Sequence, residues 1–218
     1  MEPTRSEGVF REGRTLFTIN ANPGTRVYGE TLRTVGGVEY REWDPFRSKL
    51  AAWLARGPPA ELPGGVRSVL YLGGAHGTTV SHLSDLWPHA EIFVVEKSPT
   101  AFAPLLALAR HRANLYPLLA DAQLPERYRA DVGSVDFLYQ DVAQRTQAQI
   151  FAENAHVSLR PGGAGLLMLK IRSVTQRGPP GAIVRAAREL LAREGLAIRS
   201  ETSLAPFSRE HVALGVRA

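Results

Sequence analysis

The chain contains no cysteine. Disulfides, thiol nucleophiles and thiolate metal centres are therefore excluded. It also lacks any run of about 18 or more apolar residues, the length a membrane-spanning helix needs. Its first residues, MEPTRSEGVF, do not have the charged-then-apolar layout of a secretory leader. A cytoplasmic protein with no membrane contact is expected. Lysine is nearly missing too. Of 26 basic residues, Lys49, Lys97 and Lys170 are the lysines and the rest are arginine. Arginine is a planar fork that stays protonated, whereas lysine is a compact charge that can give up its proton. Each lysine is therefore a candidate for a place where arginine would not serve.

What is present bounds the rest. The 218 residues are 44% hydrophobic, enough for one large domain or for one domain with a small appendage. The formal net charge of +5 and sequence pI near 9.9 suit a nucleic-acid-binding surface without proving one.

Residues 8–42 read as a small antiparallel sheet. Val9-Phe10, Leu16–Ile19, Thr31–Thr34 and Val38–Tyr40 are separated by Gly13, Asn22-Pro23-Gly24 and Gly36-Gly37, which is hairpin punctuation. In WDPFRSKLAAWLA, residues 43–55, Asp44 and Pro45 predict an N-cap and first turn. Phe46, Leu50, Trp53 and Leu54 follow at helical spacing. GPPAELPGG, residues 57–65, reads as a linker. It divides a β domain with its connecting helix, residues 1–56, from a main domain, residues 57–218.

From Val66 onward strands and helices alternate. Strands are expected near 67–72, 91–95, 115–119, 134–139, 164–170, 196–204 and 209–216, and helices near 78–87, 99–112, 145–157 and 181–194. Alternation of this kind predicts a parallel sheet covered on both faces. A short turn, Ala205–Ser208, makes the last strand pair antiparallel. The expected fold is therefore α/β: a seven-stranded, mostly parallel, Rossmann-like sheet with a C-terminal antiparallel hairpin. It is the layout of S-adenosylmethionine-dependent methyltransferases.

The strand ends carry the chemistry. The apolar run Val69–Leu72 meets Gly73, Gly74, Ala75 and Gly77, and Thr78 and Thr79 then open a helix. Glycines allow close backbone approach, and the first helical N–H groups stay free for a ligand. The spacing is not that of a dinucleotide site, which disfavours an NAD-dependent oxidoreductase. Glu96 ends the next strand, 19 positions after Gly77, where an acid can hold ribose hydroxyls. Asp121 and Ala122 follow the third strand, and Asp121 could accept from an adenine amino group. Asp141, Val142, Ala143 and Gln144 follow the fourth. Lys170 closes the fifth, an apolar strand, and a buried lysine there needs a partner; Asp141 is the expected one. Lys97, beside Glu96, reads as exposed. His76 and His82 flank the glycine turn, but no ligand set accompanies them and no metal is expected.

WDPFRSKLAA, LGGAHGTTVSHLSDL, Glu96, LADA, YQDVAQ with Gln147-Ala148, and the strand ending Lys170-Ile171-Arg172-Ser173 together resemble the fibrillarin family in its archaeal form. Fibrillarin is the methyltransferase subunit of box C/D guide-RNA particles. The resemblance runs from about Val27 to the C-terminus, and archaeal members also have a small N-terminal sheet. It implies S-adenosyl-L-methionine as cofactor, contacted by Thr78 and Thr79. It places Glu96 and Lys97 at the ribose, Asp121 and Ala122 at the adenine, and Asp141 through Gln144 at the methionine end. Lys49, Asp141 and Lys170 match the family's catalytic positions. The chain departs at His76, usually serine, at Lys97, often aromatic, and in IRSVTQRGPPG after Lys170.

The implied reaction is RNA-guided methyl transfer to a ribose 2′-hydroxyl of rRNA, and also of tRNA. Lys170 would orient or deprotonate the hydroxyl, Asp141 would hold Lys170 and face the sulfonium, and Lys49 would stabilise the alkoxide or hold a phosphate. The implied partners are a Nop-domain scaffold protein, a kink-turn-binding ribosomal-type protein, and box C/D guide RNA with its target. Two other readings use the same fold: methylation of a protein side chain such as glutamine, and a structural subunit without catalysis.

Overall fold

A computed structural model describes residues 1–57, 60–174 and 179–218. Pro58 and Pro59 of the expected linker, and residues 175–178 of the segment after Lys170, lie outside them.

The N-terminal strands are β1 (Glu2–Pro3), β2 (Val9–Glu12), β3 (Thr15–Ile19), β4 (Leu32–Val35) and β5 (Val38–Trp43), in the antiparallel order β1-β2-β3-β5-β4. Gly36 and Gly37, at φ of 58° and 81°, form the β4–β5 turn. Positive φ at both central residues gives the turn a twist that matches the strands it joins.

Helix α1 (Lys49–Ala55) begins later than the Asp44-Pro45 signal predicts. Asp44 instead closes a tight turn: its Oδ1 accepts from the Phe46 amide, and its carbonyl accepts from those of Arg47 and Ser48. The N-cap is Ser48, whose hydroxyl accepts from the Ala51 N–H at 3.2 Å. The short side chain of Asp44 satisfies the turn locally, and the helix must start again at the next capping residue. Leu50, Trp53 and Leu54 are buried as expected, but Phe46 is 71% exposed. It lies before the helix and packs edge-on against Phe207 at 5.2 Å.

The main sheet is built from β6 (Ser68–Leu72), α2 (Thr78–Leu86), β7 (Glu91–Glu96), α3 (Pro99–Ala109), β8 (Leu115–Leu119), a 3₁₀ turn at Pro125–Arg127, α4 (Arg129–Val132), β9 (Val135–Gln140), α5 (Gln147–Ser158), β10 (Leu159–Lys170), α6 (Ile171–Val174), α7 (Pro180–Arg193), β11 (Ala197–Ser203) and β12 (His211–Arg217). Its seven strands run in the order β11-β12-β10-β9-β6-β7-β8. All pairings are parallel except those of β12 with β10 and β11. Residues from α1, α2 and α3 pack in a core on one face, and those from α5 and α7 on the other. The 3₁₀ turn, α4 and α6 are too short to give a periodic signal. β10 begins five residues earlier than expected because the chain continues through an irregularity between Leu159 and Ala164. Among the described residues, no helix is long and apolar enough to cross a membrane.

A buried polar cluster joins the two sheets. Arg41 on β5 donates to Glu30 and to Asp85 on α2, both at 2.7 Å, and to Ser81 at 2.9 Å. Arg112 donates to the other Asp85 oxygen at 2.6 Å. Glu30 titrates below its ordinary range. Burial raises it, but the Val27 and Tyr28 amides and Arg41 together outweigh burial. His82 is not a loop histidine but a fully buried residue of α2. Its ring stacks on Trp43 at 4.8 Å, with Nδ1 at 2.8 Å from the Thr18 hydroxyl and Nε2 at 2.8 Å from the Tyr28 hydroxyl. The Thr18 hydroxyl also donates to Asp85 Oδ2, at 3.0 Å. Burial, with Arg41 and Arg112 nearby, holds the ring well below its ordinary pKa and therefore neutral.

Candidate active site

β6 neighbours β9 on one side and β7 on the other. Open parallel sheets bind ligands at such switch points, outside the carboxyl ends of the strands. Here the turn after β6 meets the end of β9. Asp141 N–H donates to Leu72 O at 2.9 Å, and Gly73 N–H donates to Val95 O at 2.8 Å. Gly73 has a φ of 87°, and a Cβ there would stand 2.5 Å from the Asp141 carbonyl oxygen. The approach of the two strand ends therefore requires glycine.

The cleft has two connected parts. One, of about 330 Å³, is lined by Gly73, Ala75, Val95, Glu96, Lys97, Ala120, Ala122, Asp141, Val142, Ala143 and Gln144. The other adds Gly74, His76, Thr78, Thr79, Tyr71, Arg47, Lys49, Lys170 and His211, and shares Gly73, Ala75, Asp141 and Ala143 with the first. The expected site residues thus converge, with two exceptions. Gly77 lines neither part; it sits beneath Leu108 at the start of α2. Asp121 stands at the rim. Its Oδ1 accepts from Gln123 N–H at 3.0 Å, and Lys97 lies 3.8 Å from its Oδ2. Lys97 is exposed, as expected.

Glu96 is more than a free strand-end acid. One oxygen accepts from Ala75 N–H at 2.9 Å and the other from Ser98 N–H at 2.8 Å. It ties the glycine turn to β7 and keeps a lone pair on each oxygen for a ligand hydroxyl. Thr78 and Thr79 lie in the second part. Thr79 meets the Ser48 hydroxyl at 2.9 Å, which joins the start of α2 to the cap of α1.

Lys49 is the first residue of α1, and its Nζ is 2.8 Å from Asp141 Oδ2. The expected pair of Asp141 with Lys170 is thereby corrected. Among the described residues Lys170 makes no ion pair within 4 Å, and its charge reaches Asp141 at longer range. The reason is reach: Lys49, at the start of α1, lines the same cleft and occupies Oδ2 of Asp141. The Asp141 side chain is 18% exposed. Burial pushes its pKa above the ordinary carboxylate range, against the pull of Lys49 and Lys170.

The sequence reading missed His211. It opens β12 directly opposite Lys170 on β10. The amide and carbonyl of Lys170 face away, toward Gln147. The pair is thus the close, non-hydrogen-bonded kind, in which the side chains stand side by side. Ser208 Oγ lies 2.8 Å from His211 Nδ1. Burial, then Lys49 and Lys170, lower the His211 pKa to about 3, so the ring is neutral. The Ala205–Ser208 turn fixes His211 only against β11; its place opposite Lys170 is set across the long connection through α7 and leaves no signal in the sequence.

The arrangement fits S-adenosylmethionine. Ala75, Ala120 and Ala122 leave room for a flat ring, Glu96 offers acceptors to vicinal hydroxyls, and the Asp141 carboxylate faces the region a sulfonium would occupy. The fibrillarin family model matches residues 1–218. This chain belongs to the fibrillarin family. The fibrillarin-like rRNA/tRNA 2′-O-methyltransferase of Aeropyrum pernix is 45% identical over 202 residues, covering 91% of this chain and 86% of that one. The structure of Aeropyrum pernix fibrillarin with natively bound S-adenosyl-L-methionine superposes with a TM-score of 0.89 at 42% identity, covering 99% and 96% of the two chains. Fibrillarin from a fibrillarin/Nop5p complex superposes at 0.87 with 38% identity, covering 99% of each. The fibrillarin fold described above therefore extends over the whole chain.

Proposed function

We propose that this protein transfers a methyl group from S-adenosylmethionine to the ribose 2′-hydroxyl of guided rRNA and tRNA targets, as the catalytic subunit of a box C/D particle. One observation carries the reading: two of the three lysines in the chain flank the single carboxylate at the inner end of a cleft suited to the donor. The names of its relatives support the same acceptor.

When bound, S-adenosylmethionine supplies an activated methyl on a sulfonium. Gly73, Ala75, Glu96, Ala120, Ala122 and Asp141 through Gln144 would hold it, with Thr78 and Thr79 at the reaction end and Asp121 and Lys97 at the rim. The protein's work is alignment, which alone can supply an effective molarity of about 10⁵–10⁸ M. Lys170 orients the 2′-hydroxyl and takes or shields its proton. Asp141 balances positive charge on the donor side. Lys49, fixed by Asp141, stabilises the developing alkoxide or an adjacent phosphate. Neutral His211, paired with Lys170 across the strands, adds no third positive charge.

The chain divides at residue 57 into a β unit, whose helix delivers Lys49, and a transfer unit, residues 57–218. It works in the cytoplasm with a Nop-domain scaffold, a kink-turn-binding protein and guide RNA. Reconstitution with these partners, followed by mapping of 2′-O-methylation, tests the reading. Methylation at the guided nucleotide, with a ribonuclease-sensitive label, is expected. A label on protein would replace the acceptor, and donor binding without any transfer would make the chain a structural subunit.

A further inference from the structure

β9 ends at Gln140, and its last pairing with β10 is at Leu167. Lys170 lies three residues further along β10. On the β9 side its backbone has no strand to pair with, and a buried unpaired amide is costly. The side chain of Gln147 takes the place of that strand. Its Oε1 accepts from Lys170 N–H at 2.8 Å, and its Nε2 donates to Lys170 O at 3.0 Å. Gln147 is fully buried at the start of α5. Its own carbonyl accepts from Gln140 Nε2 at 2.7 Å, and Gln140 is the residue before Asp141.

These bonds make a relay from the end of β9 to the end of β10. Asp141 and Lys170 are not joined directly, yet the two glutamines hold their backbones in fixed register. On the other side Lys170 faces His211 in a pairing that leaves its amide and carbonyl free for Gln147. We infer that Gln147 is a positioning residue for methyl transfer: its amide substitutes for a missing strand and sets the height of Lys170 beside Asp141. The inference rests on the proposed function of the same site. The chemistry calls for an amide. Glutamate would accept from Lys170 N–H but repel its carbonyl, leucine would do neither, and asparagine is too short to reach both groups.

The test uses the reconstituted particle with wild-type protein and with Gln147→Leu and Gln147→Glu. Single-turnover methylation, donor affinity by calorimetry, and the pH dependence of the rate are measured on each. Gln147→Leu is expected to slow transfer at least tenfold, to leave donor affinity within twofold, and to displace the pH–rate profile because Lys170 has moved relative to Asp141. Gln147→Glu, which keeps one of the two bonds, is expected to fall between leucine and wild type, and it carries the test if the leucine variant does not fold. A variant rate within twofold of wild type would overturn the inference. So would a loss of rate matched by an equal loss of folded protein or of donor affinity, with the pH profile unmoved. A wild-type particle that transfers no methyl would overturn the proposed function and this inference together.

Discussion

The molecule holds two clusters of charged side chains that differ in how they are balanced. At the seam between the sheets, Arg41 and Arg112 meet Glu30 and Asp85, and every one of these ion pairs is almost closed to solvent. Two cations face two anions, and hydroxyl and backbone groups take further bonds, although the buried Arg112 Nε has no partner among the described residues. In the cleft, Lys49 and Lys170 share one carboxylate, the Lys49 side chain is 29% exposed, and His211 stays neutral. The first cluster is balanced in charge without any ligand; the second keeps an excess of positive charge. Arginine keeps the charge of the seam fixed, whereas a lysine in the cleft can also give up its proton.

The largest effect that would break this contrast is chemical. Lys170→Arg keeps the charge, yet guide-directed methylation should fall by about 10²-fold or more; near-normal transfer would reduce Lys170 to a charge. Asp141→Asn should also abolish transfer, but without loss of stability. The Asp141 pKa is raised on folding. The folded state therefore favours the protonated acid, and at neutral pH the carboxylate's charge costs stability that asparagine restores. A thermal midpoint unchanged or higher than wild type is expected. A clear drop would mean that the cleft is held together as the seam is.

The seam should answer in the opposite way. Arg41→Met leaves Glu30 and Asp85 as buried charges and should cost about 3–5 kcal/mol of stability, read as a lower urea midpoint. If stability is unchanged, the seam network is not structural.

Acid should act next. His82 and His211 have folded pKa values below the ordinary 6.5. Between 6.5 and the folded values the unfolded chain binds more protons, so their contribution is present above about pH 6.5 and is lost as pH falls. The urea midpoint should drop from pH 7 to pH 5, and less steeply in His82→Gln once its own lower baseline is subtracted. A flat profile would count against neutral buried histidines. The smallest effect is expected for Lys49→Arg. Its role is charge, and arginine should retain transfer within about tenfold of wild type; a loss as deep as that of Lys170→Arg would give Lys49 a proton to move.

The apolar runs made every strand of the main sheet legible, because strand and helix patterns alternate from Val66 onward. The strand-end acids and Lys170 were legible because topology brings strand ends together, whereas Lys49, on a helix, stood out by the scarcity of lysine. Sequence pattern could not say which lysine reaches Asp141. That depends on where α1 starts, and Asp44 and Ser48 are both good capping residues. Pairings between residues far apart in the chain were hidden as well. Arg41 with Asp85, Gln147 with Lys170, and His211 opposite Lys170 leave no periodic trace, since each joins residues from different elements.

The close seating of Gly73 against the Asp141 carbonyl has a consequence for engineering. The glycine turn and the Asp141 backbone share one wall, so neither can be remodelled alone. A variant meant to accept donors with bulkier transferable groups cannot gain space from the glycine turn without moving Asp141. The room has to come from side chains that border the cleft without closing that wall, such as the exposed His76 and Ala143.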